Sequence, residues 1–487
     1  MRVKWVELSG SFFAILLMKK QTLFNKAVLA FGVFVAGVVP VSANLTAQVN
    51  NIVNNQASNM QVGVYIKNIT SGQVLYNSNG TRPMTPASNV KVFTAAAAYL
   101  YLGPNYHYVT EIDSITPVAS VIKGNLYFYF SGDPTLTTRD ITNLVLQLKQ
   151  KGVRQINGNV VIDDSIFSGP DYGVGWPQGD LAYCYAAPIG GAIINSNCMA
   201  LHIVKSRGYQ TPQIKQYTTQ FPVVNQLKLV GPSQMRTCAF QPSVTSGNNI
   251  VLQGCLPARG QWNIAFAIKN PSDYAVQVVA STFKHAGIQV TGKFINGVAP
   301  QSAKPIAQHS SKPLQAILSY MLKRSDNVYA GAVGKTLGNA YYGVGSYKSG
   351  VSAINTILTT HIGNAFKPVY LEDTSGLSAY DLVAPQQLVQ VLDYMYHQPS
   401  VANIFIKSLA ICGQRGTLVY RMNKAPLLGH VFGKTGTING VSTLSGYVMV
   451  PGHPVVAFAI MMNDIEGNSY YAHTLQDKIV KVIAANT

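Results

Sequence analysis

Three short strings of residues whose types could act on an acyl group occur in order along the chain. They are Ser88-Asn89-Val90-Lys91, Ser325-Asp326-Asn327 and Lys434-Thr435-Gly436-Thr437. Together they supply a serine nucleophile, two lysine amines that could act as a base and as an anion holder, and an amide that could orient a peptide. The combination predicts acyl transfer through a covalent serine intermediate.

The residues around Ser88 predict that it opens a helix. Pro86 precedes it, and residues 90–102 form a helical run that is broken by Gly103-Pro104. Positions i and i+3 share one face of a helix, so the amine of Lys91 would lie beside the Ser88 hydroxyl. The positive end of a helix dipole disfavours a protonated lysine and favours a developing oxyanion. The alternative for an isolated match is a capping serine with a solvated lysine.

A second Ser-x-x-Lys match, from Ser120 to Lys123, shows that one such string is weak by itself. It runs into the aromatic stretch 123–130, whose composition is typical of a strand. Residues three apart on a strand point to opposite faces, so the hydroxyl and the amine would not meet. We therefore exclude Ser120 as the nucleophile.

The other two strings lie at predicted ends of secondary structure. Ser325-Asp326-Asn327 follows the amphipathic segment 313–322, so it lies at a helix end or tight turn, a common place for such residues. Lys434 leads into the segment 441–450, a Pro-Gly turn and the apolar segment 455–462, which together predict an antiparallel hairpin. The alternative for Lys434 is a charged residue that protects an edge strand from aggregation.

The N-terminus has the composition of an export signal. Met18-Lys19-Lys20 begins a basic segment, residues 27–39 are apolar, and Val41-Ser42-Ala43 fits a small-residue cleavage site. We expect residues 1–43 to be a signal segment that is removed after Ala43, with Met18 as the start and the periplasm or cell envelope as the destination. The alternative is a retained membrane anchor, although the apolar run is short for a spanning helix.

The chain is strongly basic, with 36 Lys and Arg against 18 Asp and Glu and a net charge of +18. Residues 1–43 contain five Lys or Arg and one Glu, so the charge without them falls by four to +14. This excess favours anionic surfaces, which for an exported protein are a membrane surface or an acidic wall polymer. We do not expect nucleic acid as a partner, because the sequence has no dense basic run or recognition motif.

Five cysteines in an exported chain predict two disulfides and one remaining thiol. Cys184 lies close in sequence to Cys198, and Cys238 lies close to Cys255, so we predict these two local pairs. Cys412 is then a free, buried thiol. Neither the cysteines nor the nine histidines have the spacing of a zinc site, and we expect no metal or other cofactor.

At 487 residues the chain is long enough for two or three domains. Residues 60–75 predict a hairpin that should join the strands after Lys434 in one antiparallel sheet, flanked by the Ser88 helix and by a C-terminal helix over 471–485. More than 230 residues separate Lys91 from Ser325, so we predict a large β-rich insert. The densest Gly, Pro and Asn content, around 169–260, predicts a second module nested in the insert.

Beyond the three strings, the chain resembles the class C low-molecular-mass penicillin-binding proteins, the D-alanyl-D-alanine carboxypeptidase/endopeptidase family. The similarity covers essentially the whole mature chain, and it includes residues 132–136, 158–163, 175–177, 373–378 and 433–440. The resemblance implies an α/β (α+β) fold, in which a transpeptidase- or β-lactamase-like domain has an antiparallel sheet flanked by helices and carries two extra domains. The expected boundaries are 1–43 for the signal segment, 44–104 and 293–487 for the transpeptidase-like domain, 105–168 and 262–292 for the insert, and 169–261 for the nested module.

The resemblance also implies a role for each motif residue. Ser88 would attack the carbonyl of the penultimate D-alanine of a peptidoglycan stem peptide, with Lys91 as its base. Ser325 would relay a proton to the leaving D-alanine, while Asn327 would hold the peptide amide and Lys434 would support the charge of the site. The strand residues Thr435, Gly436 and Thr437 would bind substrate, since the two threonines would hold its terminal carboxylate. β-Lactams would acylate the same serine and remain attached.

Relatives with this insert use an acidic residue to recognise the diamino-acid side chain of the stem peptide. By the same comparison that residue is Asp180, with Tyr185 and Asn439 nearby. The alternative for Asp180 is an ordinary loop residue. Ala379 stands where many relatives have arginine, so a side-chain carboxylate of the substrate would lack a bidentate partner. This departure counts against specificity for meso-diaminopimelate.

The sequence thus predicts an exported serine D-Ala-D-Ala carboxypeptidase that also cleaves peptide cross-links. One rival is a β-lactamase, which requires rapid deacylation, and the sequence does not locate a dedicated deacylating base. A second rival is a wall-binding scaffold with a dead site, against which the intact motifs argue.

Overall fold

A computed structural model describes residues 41–54, 60–205, 211–216, 221–467 and 469–487. The residues from Val41 to Thr487 form one compact unit. Residues 1–40 of the predicted signal segment lie outside the described residues, and residues 41–43 fall in the first described helix. Within the described ranges, every helix is too short or too polar to cross a bilayer.

The described part of the chain contains ten α-helices. They are α1 Val41–Asn54, α2 Val90–Tyr101, α3 Thr138–Gln150, α4 Pro271–Ala286, α5 Leu314–Arg324, α6 Asn327–Tyr342, α7 Tyr347–Ile362, α8 Pro385–Tyr396, α9 Ala402–Ser408 and α10 Tyr470–Ala485. The helices predicted at 90–102 and 471–485 are therefore confirmed to within one residue at each end. The segment predicted as helical at 313–322 forms most of α5.

The same residues contain 22 strands. They are β1 Gln61–Asn68, β2 Val74–Ser78, β3 Val109–Ser114, β4 Val121–Lys123, β5 Leu126–Tyr129, β6 Gln155–Asn157, β7 Val160–Asp163, β8 Cys198–Val204, β9 Gln213–Gln216, β10 Val223–Asn225, β11 Lys228–Val230, β12 Gln241–Val244, β13 Ile250–Gln253, β14 Cys255–Pro257, β15 Gln261–Ala267, β16 Gln289–Val290, β17 Phe294–Asn296, β18 Lys304–Ser310, β19 Ala410–Ile411, β20 Val431–Ile438, β21 Val441–Val448 and β22 Val456–Asn463.

One antiparallel sheet of six strands carries the third motif. Its order is β19-β20-β21-β22-β1-β2, so the two predicted hairpins join in one sheet, as expected. Side chains alternate between the two faces of a strand. On β22, Phe458 and Ile460 face the layer formed by α1 and α10, whereas Ala457 and Ala459 face the helices on the other side. The small alanine side chains leave room for α8 to pack closely on the sheet.

Helix α2, which follows Ser88, is buried almost all round. Its residues 90–99 are all buried, and it contacts α5, α6, α7, α8 and α9. A helix that is apolar on every side can only be stable inside a core. The 3-10 turn Ala87–Asn89, immediately before α2, packs against strands β20 and β21.

The insert has its own core and several sheets. Five strands pair in the order β17-β7-β5-β3-β18, three pair as β16-β6-β4, and α3 and α4 pack with them around a second apolar cluster. The predicted single strand over 123–130 is wrong in its extent. Gly124 adopts a positive φ of 124°, and the chain divides there into β4 and β5, which belong to different sheets.

The pairing of strands bears on the predicted domain boundaries, which themselves stay predictions. Strands β17 and β18 follow residue 292, but they pair with β7 and β3 of the insert. Strand β15 begins at residue 261, the predicted end of the nested module, and continues to Ala267, yet it pairs with β8 inside that module. This pairing favours a return to the transpeptidase-like domain after Ser310.

Two disulfides tie down the nested module. Cys184 is joined to Cys198, and Cys238 is joined to Cys255, which are the two predicted pairs. Cys412 is a buried free thiol, as predicted, and it donates a hydrogen bond to the Leu427 carbonyl oxygen.

Candidate functional site

The structure places the first motif at the junction between the sheet and α2. Ser88 lies in a single 3-10 turn, Ala87–Asn89, immediately before α2. Lys91 Nζ lies 3.0 Å from Ser88 Oγ, as the i, i+3 spacing predicts. The excluded pair Ser120 and Lys123 is exposed on the insert instead.

Gly376 and Gly436, which lack a side chain, allow two other segments of backbone to lie close to Ser88. Ala87 adopts a positive φ of 47°, which is a costly conformation for a residue with a Cβ. A Cβ at Gly376 would lie 1.9 Å from the Ala87 carbonyl oxygen, and one at Gly436 would lie 3.0 Å from Ser88 N. Gly436, the glycine of the third motif, is therefore needed for β20 to pass beside the turn Ala87–Asn89.

Lys91 is fully buried and contacts two further acceptors besides Ser88. Its Nζ donates to Asn327 Oδ1 and to the Ser375 carbonyl oxygen, both at 2.6 Å. Burial lowers the pKa of Lys91 from its ordinary 10.5 to about 8, although nearby carboxylates, first that of Asp373, favour the charged form. An amine with such a pKa is partly neutral near pH 7 and can accept a proton from Ser88.

The second and third motifs meet through a lysine and a serine. Ser325 ends α5 in a left-handed conformation with a φ of 59°, and Lys434 Nζ donates a 2.8 Å hydrogen bond to Ser325 Oγ. Lys434 is also fully buried. Burial, and then the charge of Lys91, hold the pKa of Lys434 well below its usual range. All three motifs thus converge around the two amines.

Asn327 connects the motif cluster to the insert. It is the first residue of α6, whose N-terminus is capped by the Asp326 side chain. Its Oδ1 accepts from Lys91, while its Nδ2 donates to the Tyr185 carbonyl oxygen at 2.7 Å. An amide nitrogen carries two protons, so one donor of Asn327 remains for a substrate.

Asp180 and Tyr185 lie together beside this contact. Tyr185 donates a 2.8 Å hydrogen bond from its hydroxyl to Asp180 Oδ1. Burial and this carboxylate raise the pKa of Tyr185, so the phenol stays protonated. The Tyr185 ring stacks on Tyr183 with 5.7 Å between ring centroids, and the neighbouring Cys184 is anchored by its disulfide to Cys198.

Asn439 lies on a different element of the chain from that pair. It belongs to the turn between β20 and β21, and with Thr437 it lines a surface pocket of about 330 Å³. No hydrogen bond between described residues joins Asn439 to Asp180 or Tyr185. The other strand residue, Thr435, pairs its hydroxyl with that of Thr417 at 2.8 Å. The exposed Ala379 leaves an open position after the buried segment 373–378.

The loop 373–378, to which sequence reasoning assigned no role, supplies one of the hydrogen-bond acceptors of Lys91. Asp373 is buried and accepts hydrogen bonds from the backbone N–H groups of Ser375 and Gly376 and from the Trp176 indole. This network fixes the Ser375 carbonyl that contacts Lys91. The similarity of segment 373–378 to the family was the sequence signal that could have identified this loop as part of the site. The contact of the Ser375 carbonyl oxygen with Lys91 could not be predicted, because every residue type has a backbone carbonyl.

Asn89 is a second residue that the motif analysis passed over. Its side chain donates to Thr443 Oγ1 and accepts from Ser445 Oγ, both at 2.5 Å. Thr443 in turn donates to the Pro86 carbonyl oxygen at 2.8 Å. Asn89, a variable position of Ser-x-x-Lys, therefore attaches the turn Ala87–Asn89 to β21.

Lys335 is a third buried amine that the motifs do not include. It lies on α6 and donates to the carbonyl oxygens of Pro170 and Ile189, at 3.0 and 2.7 Å. Its Nζ lies 4.0 Å from Asp171 Oδ1 and 4.8 Å from the centre of the Tyr347 ring. Burial lowers the pKa of Lys335 to about 8, against the attraction of Asp171. Lys335 thus connects the segments before Asp180 and after Tyr185 to α6, the helix that begins at Asn327.

Comparisons with known proteins identify the family of the chain. The model of the D-Ala-D-Ala carboxypeptidase 3 (S13) family matches residues 45–486. The D-alanyl-D-alanine carboxypeptidase DacB of Haemophilus influenzae is 30% identical over 471 residues, which cover 95% of this chain and 98% of the relative. The D-alanyl-D-alanine carboxypeptidase of Actinomadura sp. (strain R39) is 28% identical over 439 residues, with coverage of 87% and 81%.

Solved structures show the same similarity. The crystal structure of penicillin binding protein 4 (dacB) from Haemophilus influenzae has a TM-score of 0.83 at 30% identity, with 90% of this chain and 99% of that chain covered. A crystal structure of that protein complexed with a novel β-lactam has a TM-score of 0.79 at 28% identity, with the same coverage. The resemblance and the fold class that it implied are thereby confirmed. The chain belongs to the D-Ala-D-Ala carboxypeptidase 3 (S13) family, the class C low-molecular-mass penicillin-binding proteins, and is a serine-type D-Ala-D-Ala carboxypeptidase.

Proposed function

We propose that this enzyme removes the terminal D-alanine from peptidoglycan stem peptides through an acyl-enzyme on Ser88, and that it also hydrolyses D-alanyl cross-links. The observation that carries the proposal is the buried Lys91 amine, 3.0 Å from Ser88 Oγ and with its pKa lowered to about 8. A surface lysine at the same distance would stay charged and could not act as a base.

In the acylation step, neutral Lys91 takes the Ser88 proton while Oγ attacks the carbonyl carbon of the penultimate D-alanine. The backbone N–H groups of Ser88 and Thr437 are the donors for the resulting oxyanion. One such donor typically lowers the barrier by about 3 kcal/mol. The close approach of Gly436 to Ser88 N supports this pairing of donors.

In the next step the carbon–nitrogen bond breaks and the leaving D-alanine takes up a proton. Ser325 gives its hydroxyl proton to the leaving nitrogen and is reprotonated by Lys434, whose amine donates a hydrogen bond to it. Lys434 recovers the proton that Lys91 took from Ser88. Thr435 and Thr437 hold the carboxylate of the leaving residue, and the free donor of Asn327 holds the peptide amide. Water then attacks the ester and gives a proton to neutral Lys91, which returns it to Ser88 Oγ as the shortened stem peptide departs.

A β-lactam follows the first step and blocks the last. Its ring opens on Ser88, but the leaving amine remains tethered in the acyl-enzyme and obstructs water. The complex of the related Haemophilus influenzae protein with a β-lactam supports this part of the proposal. Cleavage of cross-links differs only in the leaving amine, which then belongs to a residue of a second stem peptide instead of a free D-alanine.

Intact-mass spectrometry with a fluorescent penicillin tests the function against both rivals. We expect one adduct per chain that persists for many turnovers of peptide hydrolysis. Rapid release of hydrolysed drug would instead indicate a β-lactamase. Folded protein without an adduct would indicate a scaffold with a dead site. Release of free D-alanine from a synthetic pentapeptide then measures the carboxypeptidase reaction directly, and a cross-linked muropeptide that survives prolonged incubation would remove the endopeptidase part.

We also propose that the chain is exported to the periplasm or cell envelope, where its substrate lies, and that its positive charge brings it to anionic surfaces there. The basic and apolar composition of residues 18–39 and the net charge of +18 support this. N-terminal sequencing of the protein from its native envelope should begin at Asn44. Cosedimentation with anionic vesicles should weaken as salt rises, because salt screens exposed charges.

A further inference from the structure

A basic groove borders the active site on the side of α5 and α9. It has a volume of about 930 Å³, and its lining includes Lys323, Asn403, Lys407, Gln414, Arg415 and Phe432. A second hollow of about 550 Å³ shares Lys323 and Arg415 and adds Tyr320 and Arg324. We call the two hollows together the basic groove.

The positive charges of the basic groove are not balanced by carboxylates. No Asp or Glu is among the described residues that line it, and no ion pair of the described chain involves Lys323, Arg324, Lys407 or Arg415. Burial and the neighbouring Arg415 both lower the pKa of Lys323. Cations held close together without a counterion repel one another, and an anionic ligand relieves that repulsion.

The basic groove is connected to the catalytic residues through two short stretches of chain. Lys323 lies two residues before Ser325, on the last turn of α5. Arg415 precedes the turn Gly416–Leu418, in which Thr417 bonds to the Thr435 hydroxyl. A Cβ at Gly416 would lie 2.9 Å from the Lys323 carbonyl oxygen, so the two stretches pack directly on each other.

This position matters for a cross-linked substrate. In such a substrate the leaving amine does not belong to a free D-alanine, because it belongs to a residue of a second stem peptide. That peptide must pass Thr435, which by the proposed function holds the carboxylate of the leaving residue. Arg415 of the basic groove lies two residues before Thr417, which bonds to Thr435, so a peptide that continues past Thr435 on this side meets the groove. Stem peptides carry free carboxylates, and arginine binds a carboxylate with two parallel hydrogen bonds.

We infer that the basic groove binds the second, carboxylate-bearing stem peptide of a cross-linked substrate, on the leaving-group side of the scissile bond. This inference rests on the proposed hydrolysis of cross-links. It distinguishes two classes of substrate, because a pentapeptide whose leaving group is a single D-alanine does not reach Arg415 or Lys407. The basic groove therefore acts on cross-linked dimers and not on monomers.

Charge reversal tests the inference. Arg415→Glu, Lys407→Glu and the double variant are compared with wild type and with Lys348→Glu, an exposed lysine on α7. The quantity measured is kcat/KM for a purified cross-linked muropeptide dimer divided by kcat/KM for the monomeric pentapeptide. We expect each groove variant to lower this ratio by about fivefold and the double variant by more than tenfold. The Lys348→Glu ratio should equal that of wild type.

A binding measurement keeps the inference separate from the proposed function. The uncleaved dimer is titrated into Ser88→Ala protein with and without Arg415→Glu. If wild type does not cleave the dimer, the endopeptidase proposal fails, but a weaker dimer affinity with Arg415→Glu still supports the basic groove. Equal affinities with and without Arg415→Glu overturn the inference. A loss of binding to anionic vesicles with dimer affinity unchanged also overturns it, and assigns the groove to a membrane surface.

Discussion

The motif cluster and the Asp180–Tyr185 loop meet at Asn327, but they are built in different ways. Lys91 and Lys434 are fully buried on a helix and a central strand, and their partners come from helix ends, strands and one tightly bonded loop. Tyr185 is 47% exposed and belongs to a short turn. Rigid elements hold reacting atoms more precisely than loops do. Changes in the cluster should therefore abolish chemistry, whereas changes in the loop should alter the choice of substrate.

The largest effect is expected at Ser88. Ser88→Ala removes the nucleophile and should lower peptide hydrolysis by roughly a millionfold, as in other serine hydrolases. Covalent labelling by fluorescent penicillin should disappear, while the thermal unfolding transition stays near that of wild type. Ser120→Ala, which alters the other Ser-x-x-Lys match, is the matched control and should label normally. Persistent labelling of Ser88→Ala would show that the nucleophile has been misassigned.

The next effect concerns the protonation state of Lys91. Its pKa is lowered to about 8 and the base must be neutral, so the second-order rate constant of penicillin acylation should rise with pH and level off above about 8. Lys91→Arg keeps the charge and cannot deprotonate, so it should lose this rise together with roughly a thousandfold in rate. Stopped-flow acylation across pH 6 to 10 measures both. A flat profile in wild type would exclude Lys91 as the titrating base.

The sequence was sufficient for the motif cluster because its information is local. The i, i+3 spacing placed Lys91 beside Ser88, and the hairpin signal that follows Lys434 placed it on a strand of the six-stranded sheet. The contacts of the Ser375 and Tyr185 carbonyl oxygens were not predictable, since every residue has a carbonyl and only the path of the chain brings it to a site. For the same reason, residue types alone did not reveal that β17 and β18 pair with the insert.

Lys335 connects the motif cluster to the Asp180–Tyr185 loop. Lys335→Met leaves the carbonyl oxygens of Pro170 and Ile189 without their donor, so the free energy of unfolding should fall by about 1–2 kcal/mol. The folded-state pKa is near 8 and the ordinary value is 10.5, so wild type gains stability as pH rises from 8 to 10.5. The variant lacks this gain, and its deficit should be larger at pH 10 than at pH 7.

Urea unfolding at both pH values measures the deficit, with the exposed Lys348→Met on α7 as the matched control. Lys348→Met should change stability by less than about 0.5 kcal/mol. If Lys335 positions the loop, Lys335→Met should also raise KM for stem peptide more than it lowers the rate of penicillin acylation. Equal losses in both reactions would mean that Lys335 acts on the motif cluster as a whole.

The smallest effect is expected at Asp180, where the change alters one charge on the loop. Asp180→Asn keeps an acceptor for the Tyr185 hydroxyl but removes the negative charge that would attract the side-chain amine of the stem peptide. The preference for a pentapeptide with a free side-chain amine over its N-acetylated form should fall by about fivefold, the value of one partly exposed ion pair. Competition kinetics with the two peptides measures this preference, and Tyr183→Phe serves as the control in the same loop. An unchanged preference would mean that Asp180 only shapes the loop, and the amine would then have to be recognised by other residues.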